Sequence, residues 1–133
     1  MTLRLAGCAV CLSLGAALGH VGHQQPTTLL GRWVGDSHCV GAHPACHEEH
    51  VLYQIDSAGR GRLTLRGSRI AGRDTVPMGD LSCAVTDLRL ETVCGIPAGV
   101  WHFSVVHGRL EGVLTLADST VMRRVVAHRA QPH

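Results

Sequence analysis

The sequence predicts an all-β fold, an antiparallel up-and-down meander of about eight strands that closes into a small barrel. Three observations lead to this prediction. Apolar and polar residues alternate with a period of two over many short stretches, and helical periodicity is absent. Turn-forming residues separate these stretches at fairly regular intervals. A sheet of many short strands avoids bare edges best when it closes on itself, which favours a barrel.

The strands are expected in regular succession from the N-terminal to the C-terminal side of the chain. The alternation is clearest over residues 51–56, 62–66 and 101–105, where one face of each strand is apolar. Turns are expected at 57–61, 72–74, 95–97, 107–108 and 118–119. The strands are expected to start near Leu29, His50, Arg62, Asp80, Leu88, Val100, Arg109 and Thr120.

The last two hairpins can be tested for a consistent register. A two-residue turn at 107–108 places every apolar pair of the first hairpin on one face, as a single buried surface requires. A turn at 118–119 then puts Arg123 on that apolar face and Arg124 on the solvent side. The predicted pairs are Val105 with Leu110, Phe103 with Gly112, Trp101 with Leu114, Leu116 with Val121, Leu114 with Arg123 and Gly112 with Val125.

Length and composition limit the class of protein. The chain has 133 residues, enough for one domain, and 45% of them are hydrophobic, enough for a packed core. No apolar run in the body is long enough to span a bilayer, so no transmembrane segment is expected. The formal net charge of +2 is too small for an electrostatic footprint on nucleic acid, and no nucleic-acid partner is expected.

The N-terminal residues have the pattern of a secretory leader. Residues 1–19 contain one arginine, an apolar stretch and small residues before a polar segment, which predicts a signal peptide cleaved after Gly19. Residues 20–28 are then expected to form a flexible N-terminal segment, and residues 29–130 a single barrel domain. The mature protein is expected to be secreted or periplasmic.

Removal of the leader leaves four cysteines, an even number in a small secreted domain, which predicts two disulfides. Three pairings are possible. Local geometry favours Cys39 with Cys46, which close a short loop containing a glycine and a proline. It also favours Cys83 with Cys94, because equal offsets from a turn at 87–90 place them opposite each other across a hairpin.

The stretch Leu-Gly-Arg-Trp at 30–33 resembles the Gly-x-Trp opening of lipocalin-like barrels. In that family the tryptophan closes one end of the barrel and an arginine from a late strand covers it. The resemblance therefore implies these structural roles for Trp33 and Arg123. The chain is shorter than a lipocalin and has no recognisable C-terminal helix. Its short strands can therefore enclose an interior that side chains alone fill.

The chain also resembles small secreted bacterial lipocalin-like proteins of unassigned function over most of its mature length. The motifs that carry this resemblance are Gly31-x-Trp33, Cys39, Pro44-x-Cys46-His47-Glu48-Glu49, Val51-x-Tyr53, Met78-Gly79-x-Leu81, Trp101-x-Phe103 and Gly112-x-Leu114-x-Leu116.

The densest polar cluster lies between residues 37 and 50. It contains four imidazoles and two carboxylates, residue types that bind transition metals. No zinc-finger or His-Glu-x-x-His spacing is present, and solvated loop histidines explain the same composition. The expectation is weak divalent metal binding through some pair of these histidines, in a protein that folds without metal. They are His38, His43, His47 and His50.

No catalytic or cofactor-binding residue is assigned from the sequence. The candidates for a relay are Asp36, Ser37 and His38, which are adjacent in the chain, where backbone geometry disfavours a productive arrangement. A nucleophile elbow, a phosphate-binding loop and a paired-carboxylate motif are all missing from the sequence. The chain is therefore not expected to be an enzyme.

Two functional hypotheses follow, from different classes. The first is a disulfide-stapled binding module that takes an unknown small ligand or protein at its loop face. The second is an inhibitor of a secreted peptidase that uses residues 20–28 as a blocking segment. The resemblance to small barrel inhibitors of bacterial metalloproteases, which open with the same Gly-x-Trp stretch, suggests this alternative.

Overall fold

The computed structural model describes residues 28–87 and 90–131, together with residue 15. Most of the predicted leader and N-terminal segment therefore lies outside the described residues. Within these ranges no helix has the length and apolar character needed to cross a membrane. Eight strands run in chain order: β1 (Gly31–Cys39), β2 (Glu49–Gly59), β3 (Arg62–Ala71), β4 (Asp74–Asp87), β5 (Glu91–Ile96), β6 (Gly99–Val106), β7 (Arg109–Leu116) and β8 (Val121–Arg129).

The strands form a closed barrel in which each pairs antiparallel with the next, and β8 returns to pair with β1. This confirms the predicted all-β meander. The connections alternate between the two ends of the barrel. The loop end carries the loop 40–48 and the turns at 72–73, 97–98 and 117–120, and the Trp33 end carries the start of β1 and the end of β8.

The register between β6 and β7 is the predicted one at all three pairs: Trp101 with Leu114, Phe103 with Gly112 and Val105 with Leu110. Glycine is needed opposite the phenylalanine, because a Cβ at Gly112 would lie 2.6 Å from Cε1 of Phe103. The aromatic ring therefore occupies the space that a side chain would take.

The register between β7 and β8 is confirmed in part. Gly112 faces Val125 and Leu114 faces Arg123 as predicted. A β-bulge after Leu114 then pairs Thr115 with Val121, so the predicted pair of Leu116 with Val121 is wrong by one residue. The bulge shifts the pairing before the chain turns, and the connection is longer than two residues.

The predicted start of β4 near Asp80 is wrong, because the strand begins at Asp74 after a two-residue turn. Pro77 and Gly79 interrupt the alternation of apolar and polar residues from which the strands are predicted. They lie at a bulge, where Gly67 pairs with Gly79 and the next residue of β3 pairs with Pro77. Strand β5 pairs with β4 only from Cys83 onward, so the first part of β4 pairs with β3 alone.

Inward-facing side chains from all eight strands fill the barrel from the Trp33 end to its middle. They include the two largest fully buried side chains, Trp33 and Phe103. The buried apolar core consists of Leu29, Trp33, Val51, Tyr53, Ile55, Leu63, Leu65, Cys83, Cys94, Phe103, Leu110, Leu114, Val125 and Ala127.

Both predicted disulfides are present. The loop disulfide joins Cys39 to Cys46 and closes the connection between β1 and β2. The strand disulfide joins Cys83 to Cys94, which are directly opposed in β4 and β5 and fully buried. The centre of the turn expected between β4 and β5, residues 88–89, lies outside the described residues.

Candidate functional site

The Trp33 end is closed by the buried Trp33 ring. Its Nε1 donates a hydrogen bond to the Leu29 carbonyl at 2.8 Å. The guanidinium of Arg129, and not that of Arg123, lies over the ring, with its central carbon 4.3 Å from the ring centroid. Arg129 also donates hydrogen bonds to the carbonyls of Leu30 and Thr28. The implied role of Arg123 as the cover of Trp33 is therefore wrong.

The strand directions explain this correction. Strands β1 and β8 are antiparallel, so the last residue of β8 meets the start of β1, and Arg129 is the cross-strand partner of Trp33. Gly31 makes room for it: the residue has φ of +117°, and a Cβ there would lie 3.1 Å from an Arg129 guanidinium nitrogen. Burial also lowers the pKa of Arg129 from its usual value.

Arg123 lies at the opposite end, where it points inward beside the loop. Its Nη1 donates to the buried Ser37 hydroxyl at 2.9 Å, and its Nη2 donates to the His47 carbonyl at 2.8 Å. Nη1 also lies 3.7 Å from the Glu49 carboxylate. Arg123 therefore ties the loop end of β8 to β1 and β2. Arg124 is exposed, as predicted.

Glu48 holds the other side of the disulfide-closed loop. One carboxylate oxygen accepts a hydrogen bond from the Cys39 backbone N–H at 3.2 Å, and the other lies 2.7 Å from Nδ1 of His38. Together with the loop disulfide and the Arg123 contact to His47, these bonds fix the loop to the barrel. The entrance of the barrel at this end is therefore bordered by an anchored loop.

A cavity of about 320 Å³ opens inside the loop end. The side chains of the strands therefore leave space at this end of the barrel. The cavity lies beside the part of β4 that has no partner in β5. Its lining is mostly apolar and aromatic and includes two carboxylates. The lining residues are Glu49, Tyr53, Leu65, Gly67, Met78, Gly79, Asp80, Leu81, Ile96, Trp101 and Phe103.

The aromatic residues of this chain are concentrated at this cavity. The sequence contains only four phenylalanine, tyrosine and tryptophan residues, and three of them line it. Trp101 and Phe103 are stacked, with ring centroids 5.1 Å apart and an angle of 15° between their planes. Tyr53 meets Phe103 edge to face at 5.6 Å. A chain poor in aromatic residues thus places nearly all of them around one opening.

The Tyr53 hydroxyl faces this opening. It has no hydrogen-bond partner among the described residues, and none of their fully enclosed side-chain polar atoms lacks a partner. The hydroxyl therefore opens onto the cavity. Burial raises the pKa of Tyr53, an effect that the positive charge of Arg123 opposes and the negative charge of Glu49 reinforces. The group therefore stays protonated and can donate a hydrogen bond.

The four histidines of the predicted metal cluster do not converge on one point. His38 is paired with Glu48, and Nδ1 of His50 contacts the Asp36 carboxylate across β1 and β2. Within residues 28–87 and 90–131, no group of three or more histidine, cysteine or acidic side chains is arranged to hold a metal ion. Weak metal binding through some pair of His38, His43, His47 and His50 stays a prediction.

The three residues considered for a catalytic relay are divided between the two faces of β1. Ser37 points into the barrel and contacts Arg123. Asp36 and His38 point outward, toward His50 and Glu48 respectively. Neighbouring residues of a strand face opposite sides of the sheet, so these three side chains cannot act on one substrate atom.

Other concave surfaces are present but lack the same combination of groups. A groove of about 450 Å³ at the Trp33 end is lined by leucine, valine and Arg62, without an aromatic side chain. A shallower groove on the outer face follows the His38 and His50 ion pairs. The cavity at the loop end is therefore the best candidate for a functional site among the described residues.

Comparison of the chain with protein-family models and with curated proteins finds no match.

The alternation of apolar and polar residues does not identify the cavity residues as a site. It predicts that Trp101 and Phe103 lie on the inward face, where they are found. The available signal was the scarcity of aromatic residues combined with the inward positions of Tyr53, Trp101 and Phe103. Periodicity shows which side chains point inward, but it does not show whether they fill the interior.

Proposed function

We propose that this protein is a secreted, disulfide-stapled binding module that takes a small apolar ligand into the cavity at the loop end. The observation that carries the proposal is the gathering of Tyr53, Trp101 and Phe103 around one apolar cavity with an open hydroxyl. Ligand sites are typically concave, mostly apolar and supplied with a few placed polar groups. The volume lies near the lower end of the usual range for such sites, which favours a small ligand.

The remaining features support the same proposal. The two disulfides are compatible with an oxidising extracellular or periplasmic location. The separation of Ser37 from Asp36 and His38 favours binding without catalysis. The resemblance to lipocalin-like secreted barrels favours uptake at the end opposite Trp33, because the tryptophan closes the other end.

A substitution that fills the cavity tests the proposal. A Cβ at Gly67 would make ordinary contacts with Tyr53 at 3.4 Å and with Met78 at 3.6 Å, so Gly67→Leu extends into the cavity. Gly95→Leu is the matched control, because Gly95 is exposed and a Cβ there meets no atom within 4 Å. Thermal melts should show that both variants are folded.

Binding can be followed through the two tryptophan indole N–H signals in a two-dimensional NMR spectrum. Addition of 2-ethylnaphthalene or 2-acetylnaphthalene should shift the signal of Trp101, which lines the cavity, and leave that of Trp33 unchanged. Gly67→Leu should abolish the shift and Gly95→Leu should preserve it. Failure of both probes to shift the Trp101 signal, or equal binding by folded Gly67→Leu, contradicts the proposal.

The peptidase-inhibitor hypothesis places function at the other end of the barrel. Arg129 holds the carbonyls of Thr28 and Leu30 at that end. Deletion of residues 20–27 should abolish inhibition of a secreted metalloprotease if this alternative is correct. The same deletion should leave ligand uptake at the loop end intact.

A further inference from the structure

We infer that the ligand of this cavity is an uncharged molecule that joins an apolar ring system to a carbonyl-type acceptor, with the Tyr53 hydroxyl as the donor to that acceptor. The inference rests on the proposed function and adds the chemical class of ligand to it. It depends on three properties of the lining: the sign of its charges, the hydrogen-bonding capacity of the Tyr53 hydroxyl, and its shape.

The charges disfavour an anionic ligand. The ionisable residues that line the cavity besides Tyr53 are Glu49 and Asp80, both acidic. Arg123 is the nearby cation. Its guanidinium already donates hydrogen bonds to the Ser37 hydroxyl and the His47 carbonyl and pairs with the Glu49 carboxylate. A ligand carboxylate would lose its hydration in this mostly apolar cavity without gaining a free positive partner. Fatty acids and other carboxylates are therefore poor candidates.

The same charges give little support to a cationic ligand at the depth of Tyr53. The negative charge of Glu49 is compensated by Arg123 at 3.7 Å. At the Tyr53 hydroxyl itself, Arg123 has a larger electrostatic effect than Glu49. Asp80 is exposed, so water and salt screen its charge. The inner part of the cavity thus has no net negative character that would hold a ligand ammonium group.

The open hydroxyl specifies the polar feature of the ligand. Tyr53 is almost fully buried, but its hydroxyl has no hydrogen-bond partner among the described residues. The adjacent positive charge of Arg123 strengthens its O–H as a donor, and burial keeps that proton in place. A neutral carbonyl oxygen satisfies this donor without bringing a charge into an apolar site.

The aromatic wall of the cavity indicates the apolar part of the ligand. Trp101 and Phe103 present a stacked pair, and Tyr53 meets the same phenylalanine edge to face. Flat rings pack well beside such groups, in offset or edge contacts. Met78 and Ile96 add flexible and branched apolar surface at the entrance. A planar ring system small enough for about 320 Å³ therefore fits the lining better than a long alkyl chain.

Four probes that share one ring system test the inference. They are 2-acetylnaphthalene, 2-ethylnaphthalene, 2-naphthoate and 2-naphthylmethylammonium, which differ in acceptor and charge. The acetyl compound is expected to bind most tightly. Tyr53→Phe should weaken its binding about three- to tenfold, the range for loss of one hydrogen bond, and should leave the ethyl compound unaffected. Affinities are measured from the Trp101 indole signal.

A second variant keeps the test decisive if Tyr53→Phe does not fold. Glu49→Gln removes one negative charge from the entrance and leaves Arg123 uncompensated. It should therefore increase the affinity for 2-naphthoate by about fivefold or more while changing that for 2-ethylnaphthalene little. An unchanged affinity for 2-naphthoate contradicts the electrostatic part of the argument.

The outcomes separate the inference from the proposed function. Tighter binding of the carboxylate or the ammonium compound than of the ketone overturns the ligand class, although the cavity still binds. Equal binding of the two neutral compounds, with no effect of Tyr53→Phe, overturns the role of the hydroxyl. If none of the four probes shifts the Trp101 signal, the proposed function itself fails.

Discussion

Replacement of Arg129 by alanine should destabilise the barrel far more than any exposed arginine substitution. The guanidinium lies 4.3 Å from the Trp33 ring centroid, a cation–π contact worth about 0.5–2 kcal/mol. It also donates to the carbonyls of Leu30 and Thr28, and hydrogen bonds from a charged donor contribute about 1.5–3 kcal/mol each when they are well buried. Arg129 is only partly buried, and neighbouring contributions do not add fully, so the expected loss is about 2–4 kcal/mol.

Chemical denaturation followed by tryptophan fluorescence measures this loss. In a domain of this size, Arg129→Ala should lower the melting temperature by about 10 °C or more. Arg124→Ala is the matched control, because this exposed neighbour on the same strand should change the free energy of unfolding by about 0.5 kcal/mol or less. Equal destabilisation by the two substitutions would refute the argument.

A second measurement separates Arg129 from Arg123. In a Trp101→Phe background, Trp33 is the tryptophan that remains, and acrylamide quenching reports its exposure. Arg129→Ala should increase the quenching of Trp33. Arg123→Ala should leave it unchanged, because Arg123 lies at the other end of β8. An increase with Arg123→Ala alone would restore the role that the lipocalin resemblance implied.

Three further predictions concern the rest of the fold. Gly112→Ala should destabilise the barrel by about 1–3 kcal/mol, because the alanine Cβ would lie 2.6 Å from the Phe103 ring. Gly95→Ala, the control, should have little effect because a Cβ there meets no atom within 4 Å, and thermal melts compare the two variants. Mild reductant should open the loop disulfide before the strand disulfide, because the strand disulfide is fully buried. Alkylation followed by peptide mass spectrometry determines the order, and the reverse order contradicts this prediction. Zinc and chelator should leave the melting temperature unchanged, since two disulfides already constrain the fold, and unfolding on chelation would indicate a structural metal site.

Much of the fold could be predicted because period-two alternation and turn chemistry are local properties. The pairing of Cys83 with Cys94 follows from equal offsets about one turn, and the pairing of Phe103 with Gly112 follows from another. The prediction failed where a bulge breaks the period. Pro77 and Gly79 have loop-like composition but lie inside β4, where the bulge accommodates them.

The error over Arg123 has a different origin. Residues 123 and 129 both face inward on β8, so alternation alone treats them alike. The choice between them depends on strand direction: β8 runs antiparallel to β1, which brings its final residue to Trp33. A closed eight-stranded meander requires β8 to pair antiparallel with β1, so this choice could have been predicted from the barrel itself. The cavity did not follow from the sequence in the same way, because the residual space depends on how side chains from several strands meet.

The pairing of β8 with β1 has a consequence for how the protein assembles. Every other strand pair joins consecutive segments and can form as a local hairpin, whereas this pair brings together the two ends of the described chain. Closing so long a loop costs chain entropy, so we expect formation of the β8–β1 pair, the seam of the barrel, to limit the folding rate. Gly35 leaves no space at the seam, since a Cβ there would lie 2.0 Å from the Val126 carbonyl oxygen. A circular permutant that links residue 130 to residue 28 and opens the chain at the turn 60–61 would convert this pair into a hairpin and make β2 with β3 the long-range pair instead, so a closed barrel of this topology always retains one such seam.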